Sequence, residues 1–180
     1  MTNQKARLRP VEMQDAELIL EWVNDSLDRA NSYSSDPITL EEHLSWMGRS
    51  LADPNIYLYM MEVDGEDVGH IKLYIEDGKA EIGYCIGPDW RGHGLAKTIV
   101  ALVTIEAAEN LADVQTLFGW VKETNPASRK AFLRTGYIEE GPTDGSYRYV
   151  FDTVDYPSKK DLLLEVVRGQ IQKNSSLEGR

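Results

Sequence analysis

The stretch Asp89-Trp90-Arg91-Gly92-His93-Gly94-Leu95-Ala96-Lys97 constrains the fold more than any other segment. It sets three small residues in an arginine-led turn between a strand-like run and a helix-like run. Ala80 to Ile86 reads as a buried strand, and beyond the turn Leu95, Ile99, Leu102, Val103 and Ala107 recur at helical spacing. The turn therefore lies at a helix N-terminus, where the first N–H groups lack internal partners and the helix dipole favours anions. A phosphate cradle is the expectation.

At 180 residues, with 42% hydrophobic and 27% charged residues, the chain is expected to form one domain with a true core. The net charge of -11 argues against a nucleic-acid partner, whose phosphates would have to be met by Lys and Arg. A cationic or amine-bearing substrate suits that field better, and so does an ordinary solubilising surface. The longest apolar run, near Ile99 to Ile105, is far below the ~20 residues that cross a bilayer, so no membrane partner is expected. Residues 1–9 carry no secretory apolar segment, and the single Cys85 forms no internal disulfide. A cytoplasmic location is the expectation. Three dispersed histidines and one cysteine show no metal-ligand spacing.

Ala6 to Arg9 reads as a short strand, and Asp15 to Val23 as a helix with Leu18, Ile19 and Trp22 on one side. Asn24 to Pro37 is polar and turn-rich. Thr39 stands three residues before Glu42, a capping-box spacing that opens a helix through Leu51. Asp64-Gly65 and Asp77-Gly78 separate three strands at Tyr57 to Val63, Val68 to Ile75 and Lys79 to Ile86, an antiparallel meander. A helix from Gly92 to Asn110, a strand at Thr116 to Val121, a helix from Pro126 to Thr135 and strands at Tyr137 to Glu139 and Tyr147 to Phe151 follow. The order predicts an α+β domain over residues 1–155, with helices on a mixed, mostly antiparallel sheet of about seven strands. Residues 156–180 form a helical extension in which Leu163, Val166, Val167 and Ile171 make an apolar stripe able to dock or to form a homodimer. Asn174 to Arg180 reads as a frayed polar end.

Two nucleotide templates fail on the glycine turn. A dinucleotide fingerprint needs a small residue where Lys97 stands, and a Walker-type loop needs glycine where Ala96 stands. Instead, Arg91-Gly92-His93-Gly94-Leu95-Ala96 and the later Asn125-Pro126-Ala127-Ser128-Arg129-Lys130-Ala131-Phe132-Leu133-Arg134-Thr135-Gly136-Tyr137 together resemble the GCN5-related N-acetyltransferase (GNAT) family over residues 6 to 152.

That resemblance implies acetyl-CoA as co-substrate and direct acetyl transfer to a small-molecule amine in a ternary complex. It implies coenzyme contacts from Ile86, Arg91, Gly92, His93, Gly94, Leu95, Ala96, Lys97 and Thr98, and from Asn125, Ser128 and Arg129 at the second segment. Ser128 and Arg129 also fit plain first-turn and solvated roles. The family often carries a tyrosine four residues before the second segment's glycine, where it protonates the departing thiolate. Phe132 stands there, which leaves water or another tyrosine as the acid, with Tyr84 a candidate, and also admits a non-catalytic coenzyme-binding module.

The amine must lose a proton before it attacks, which calls for a base. Glu81, in the strand just before the turn, is the leading candidate if desolvation raises its pKa, and a cross-strand ion pair is its alternative. His70, His43 and Glu62 are further titratable candidates. For the acceptor, Trp22-Val23-Asn24-Asp25, Arg29 and Ile38 to Trp46 are similar to acetyltransferases of nucleotide-linked amino sugars of the pseudaminic acid type. The resemblance points to Trp22, Asn24, Arg29, His43 and Trp46 as acceptor contacts, while Trp22 and Trp46 also read as helix-core residues. Ribosomal-protein α-amine acetyltransferases have similar strand and turn sequences and make a protein N-terminus the runner-up acceptor.

Overall fold

Asp-Gly pairs set the hairpins, and the backbone follows them. In the computed structural model, which describes residues 6–174 and their side chains as far as residue 169, Asp64 and Gly65 adopt φ of 56° and 87°, and Asp77 and Gly78 adopt 48° and 74°. Paired positive φ values let a two-residue turn match the twist of its flanking strands. They join β2 (Ile56–Val63), β3 (Glu66–Glu76) and β4 (Lys79–Ile86) into the expected meander. A third pair, Asp144-Gly145, joins β6 (Ile138–Thr143) to β7 (Ser146–Asp152). With β1 (Ala6–Pro10) and β5 (Thr116–Lys122), the sheet has seven strands in the order β1-β2-β3-β4-β5-β7-β6.

β4 and β5 run parallel, and they pair only where Lys79 to Glu81 face Thr116 to Phe118. Beyond Glu81 each strand stays with its antiparallel partner, β4 with β3 to Ile86 and β5 with β7 to Lys122, so the two halves of the sheet diverge. The Gly87 N–H donates to the Val68 carbonyl at 3.0 Å. Bonded and non-bonded pairs alternate in an antiparallel ladder, so Gly83 and Cys85 direct their N–H groups at β3, and Tyr84 and Ile86 direct theirs into the gap.

Helices cover both faces. α1 (Ala16–Val23) and α3 (Leu40–Ala52) bury Ile19, Trp22 and Met47 against Leu58, Met60 and Cys85. α4 (Leu95–Asn110) and α5 (Pro126–Arg134) bury Ile99, Val103 and Phe132 against Ile71, Leu73 and Leu117. Alternation along β2 hands Leu58 and Met60 to one layer and Tyr59 and Met61 to the other. The spacing of Thr39 and Glu42 does form a capping box, with Thr39 N–H donating to Glu42 Oε2 at 2.9 Å and Glu42 N–H to Thr39 Oγ1 at 3.3 Å.

Three expectations change. The stretch expected as a polar loop contains α2 (Ser26–Asn31), because the Asp25 carboxylate accepts the Leu27 N–H at 3.1 Å and caps it. α4 begins at Leu95 rather than Gly92, since Gly92 and Gly94 lie at φ 82° and 78°, outside helical space. β6 runs through Gly141-Pro142 to Thr143, with the ladder register shifting there, as an edge strand permits. α6 (Tyr156–Asn174) takes the docking role that its stripe allowed: Leu163 is fully buried, and Val166 and Val167 pack on the same core. The Tyr156 hydroxyl donates to Glu109 at 2.6 Å, and Lys160 Nζ lies 2.8 Å from the same carboxylate. The Ile171 side chain and residues 175–180 lie outside the described residues.

Phe132 wedges against β5 beside the divergence, and a Cβ built on Gly119 would lie 2.5 Å from its Cζ. The ring stacks on Tyr149 at 5.3 Å and meets Tyr137 edge-on at 5.0 Å, so it has little room to retreat. Gly119→Ala is expected to lower the unfolding free energy by about 1–3 kcal/mol. A urea midpoint equal to that of the unsubstituted protein would show that the ring moves aside freely.

Candidate active site

The divergence of β4 from β5 opens a cleft of about 1340 Å³. A single small-molecule site commonly occupies roughly 300–1,000 Å³, so there is room for two ligands end to end. The first turns of α4 and α5 form one end, and α2 and α3 form the other.

At the first end, Gly94 occupies the N-cap of α4 in the left-handed region, and no side chain caps the helix. α2, α3 and α5 each have a side-chain cap, from Asp25, Thr39 and Asn125. The N-terminus of α4 thus carries no side-chain cap of its own, as an anion site requires, beside a Gly92 whose added Cβ would meet nothing within 4 Å. Gly92, Gly94, Ala96 and Lys97 line the cleft, and buried Leu95 anchors the turn to the core. The residues present fit a pyrophosphate. Arg91 lines the cleft too, but its guanidinium is ion-paired with Asp25 at the start of α2, bridging the two ends. That hydrogen bond holds the Asp25 carboxyl below its ordinary range.

Three expected coenzyme contacts face elsewhere. Thr98 is fully buried on the core side of α4, and exposed His93 approaches the Trp90 carbonyl at 3.2 Å; neither lines the cleft. Arg129 is also outside it, donating to the Tyr149 hydroxyl at 3.0 Å and to Glu139 at 3.2 Å, with its guanidinium over the Tyr147 ring at 3.8 Å. Arg129 thus ties α5 to β6 and β7. Asn125 and Ser128 do line the cleft. Asn125 Oδ1 accepts the Ser128 N–H at 3.2 Å, and Ser128 Oγ accepts the Tyr84 hydroxyl at 2.9 Å across the gap.

In the middle, Tyr84 and Ile86 present backbone N–H groups and side chains to the cleft. Burial pushes the Tyr84 hydroxyl up to about 12, so it holds its proton at neutral pH. Full transfer from such a phenol to a thiolate of ordinary pKa, about 8.5, is uphill by about 5 kcal/mol. Tyr84 is therefore suited to donate a hydrogen bond to a leaving sulfur rather than to surrender its proton. Phe132 is buried and brings no hydroxyl. Glu81 lines the cleft but is exposed, without the desolvation expected of it. Burial pushes the Cys85 thiol up to about 12, consistent with packing rather than nucleophilic attack.

At the far end, Trp22 is buried, packed on Gly87 with a would-be Cβ 2.9 Å from its ring, and has no face for a ligand. Asn24 spends both ends of its amide on the Ile38 backbone, at 2.7 and 2.8 Å. Arg29 lines the cleft while donating to the carbonyls of Val23, Ser34 and Asp36, so it knits the loop after α2. Trp46 remains in the wall, its indole N–H donating to the Tyr74 hydroxyl at 3.2 Å. His43 and His70 lie in the same wall, each nearly fully buried with no hydrogen-bond partner for Nε2 among the described residues. Burial lowers both, His70 to about 3, so both are neutral imidazoles at neutral pH.

Three functional candidates were missed in the sequence. Lys72 stands on the same β3 face as His70, its ammonium 5.7 Å from the Trp46 ring and 5.5 Å from that of Tyr74, and alternation from His70 would have found it. Asp28 sits on the unrecognised α2, where the Asp25 cap signal would have helped. Arg49 lines the cleft from α3. The charge of the cleft also departs from expectation: eight lysines and arginines line it against Asp28, Asp36, Glu42 and Glu81, in a chain of net charge -11. Among the described residues, no group of three or more His, Cys, Asp or Glu could hold a metal, and no helix is long and apolar enough to cross a membrane.

A family model of the acetyltransferase (GNAT) domain matches residues 5–138. The spermidine N-acetyltransferase of Vibrio cholerae, solved with CoA and spermine, is similar with a TM-score of 0.77 and 19% identity over 85% of this chain and 98% of that one. The aminoglycoside acetyltransferase AAC(6')-Ib, solved with ribostamycin and coenzyme A, has a TM-score of 0.74 and 18% identity over 85% and 96% of the two chains. No curated protein matches the sequence. At such identities the solved structures show the fold, and their acceptors are their own. The family match over most of the chain, on a sheet that divides beside an uncapped glycine turn, establishes that this chain belongs to the GNAT family of acetyl-CoA-dependent acetyltransferases.

Proposed function

We propose that the chain transfers the acetyl group of acetyl-CoA, by direct attack in a ternary complex, to a primary amine on a nucleotide-linked amino sugar. The observation that carries this reading is the cationic lining of the cleft in an otherwise acidic protein. Part of that charge lies at the coenzyme end, but Lys72 and Arg49 lie at the acceptor end, and among the described residues neither forms a salt bridge. A polycationic acceptor would be repelled there. An acceptor that carries a diphosphate beside its amine would be attracted, and the Trp46 ring offers a surface for a sugar or a base.

In this reading the α4 turn receives the coenzyme pyrophosphate. The N–H groups of Tyr84 and Ile86 pair with the pantetheine arm and polarise the acyl carbonyl, and the Tyr84 hydroxyl donates a hydrogen bond to the departing sulfur. Gly94→Glu is expected to abolish acetyl-CoA binding in calorimetry, because a carboxylate would enter an anion site at a backbone angle of φ 78°. Normal affinity would remove the turn from the coenzyme site.

The acceptor is tested by thiol release from acetyl-CoA with a UDP-4-amino sugar, spermidine, an aminoglycoside and peptide α-amines. We expect the nucleotide sugar to exceed the polyamine by about 100-fold in kcat/KM, and Lys72→Met to raise its KM about 10-fold, the loss of roughly 1.4 kcal/mol, with the acetyl-CoA KM unchanged. A preference for spermidine or for peptides would overturn the acceptor assignment.

A further inference from the structure

Four carboxylates line the cleft, and three are ill suited to take a proton from the acceptor. Asp36 and Glu81 are exposed, and Glu42 is held in the Thr39 capping box. Asp28 differs. Its side chain is 19% exposed, its nearest cation is Arg29 at 3.9 Å, and among the described residues its carboxylate accepts no hydrogen bond. Arg29 compensates it weakly, because that guanidinium donates to three backbone carbonyls and the Ser32 hydroxyl.

Asp28 lies on α2, whose capping Asp25 is ion-paired with Arg91 of the glycine turn, and it lines the cleft together with Lys72 of β3 and Cys85 of β4. Arg29 on its own helix, Asp25 at the helix cap, Arg91 from the coenzyme turn and Lys72 from β3 act on it, and Asp28 in turn raises the Cys85 thiol on β4. Cys85 lies between Tyr84 and Ile86, the residues whose N–H groups face the gap. Asp28 thus shares the cleft with the β4 segment against which an acyl carbonyl would lie, facing it from the α2 wall where the proposed acceptor enters. Desolvation outweighs the neighbouring cations and pushes its carboxyl up to about 6, close to the working pH that suits a general base.

We propose that Asp28 is the general base of acetyl transfer, in the role that strand position alone would give to Glu81. The proposal rests on the acetyltransferase reading. The Asp28 carboxylate takes one proton from the acceptor ammonium and becomes a carboxylic acid. The freed lone pair forms the C–N bond to the thioester carbonyl, and the C–S bond breaks with its electron pair on sulfur. The second proton lost from nitrogen goes to that sulfur, and Asp28 returns its own proton to solvent.

The test compares Asp28→Asn, Asp28→Glu and Glu81→Gln on whichever amine the unsubstituted enzyme acetylates, with carboxyl-carbon NMR of Asp28 assigned by difference from Asp28→Asn. The enzyme's kcat should rise as pH rises through about 6, where the carboxylate forms, and then level. Asp28→Asn should lower kcat by about 100-fold or more, leave the acetyl-CoA KM within about twofold, and gain rate with pH up to the amine's own pKa. Asp28→Glu should restore part of the rate. An Asp28→Asn enzyme that keeps the limb near pH 6, a Glu81→Gln enzyme that loses it, or an NMR midpoint near the ordinary 3.8 would each overturn the proposal. A wrong acceptor class leaves this test intact, whereas an enzyme that acetylates no amine overturns both readings.

Discussion

The short parallel contact between β4 and β5 is the constraint from which the rest of the molecule follows. Three residue pairs join two half-sheets, and each half is otherwise complete in its own antiparallel ladder. Backbone hydrogen bonding normally consumes both edges of an interior strand. Here the edge of β4 from Ile82 to Ile86 is left without a strand partner, and the cleft supplies what an edge strand offers elsewhere, a row of amides and carbonyls waiting for an extended ligand. Helix starts close the opening from above: α4 presents a glycine-capped N-terminus, and α5 sends Phe132 against Gly119 while Ser128 meets Tyr84.

Electrostatics are arranged locally against the trend of the whole chain. The net charge of -11 would repel coenzyme and nucleotide phosphates alike, yet the cleft walls are cationic. Low-dielectric walls strengthen such a field where it is needed, and the remaining acidic surface favours solubility. The Arg91–Asp25 pair adds a mechanical tie, since one residue belongs to the turn that would hold phosphate and the other caps the helix that carries Asp28. Two segments distant in sequence are thereby held together.

Most of the architecture was legible because its signals are local. Asp-Gly turns, the Thr39 to Glu42 box and the glycine turn before Leu95 each act within a few residues, and each formed as read. Where side chains expected to meet a ligand are engaged elsewhere, the cause is shared. Thr98, Trp22, Asn24, Arg29 and Arg129 have side chains suited to binding, but partners far along the chain or a place in the core had already claimed them, and no window of sequence displays those partners. β6 ran past Gly141-Pro142 because an edge strand tolerates what a central strand would not.

The sequence by itself determined the family, most of the order of elements and the glycine turn, because backbone conformation and helix polarity depend on residues that are neighbours in the chain. Tertiary structure decided which acid is desolvated, which cations remain without a salt bridge and which aromatic rings are walls rather than core. Those properties depend on burial and on charges brought together from α2, β3, β4 and the glycine turn. The exposure of Glu81 and the seclusion of Asp28 are set by packing, and packing is a property of the assembled fold.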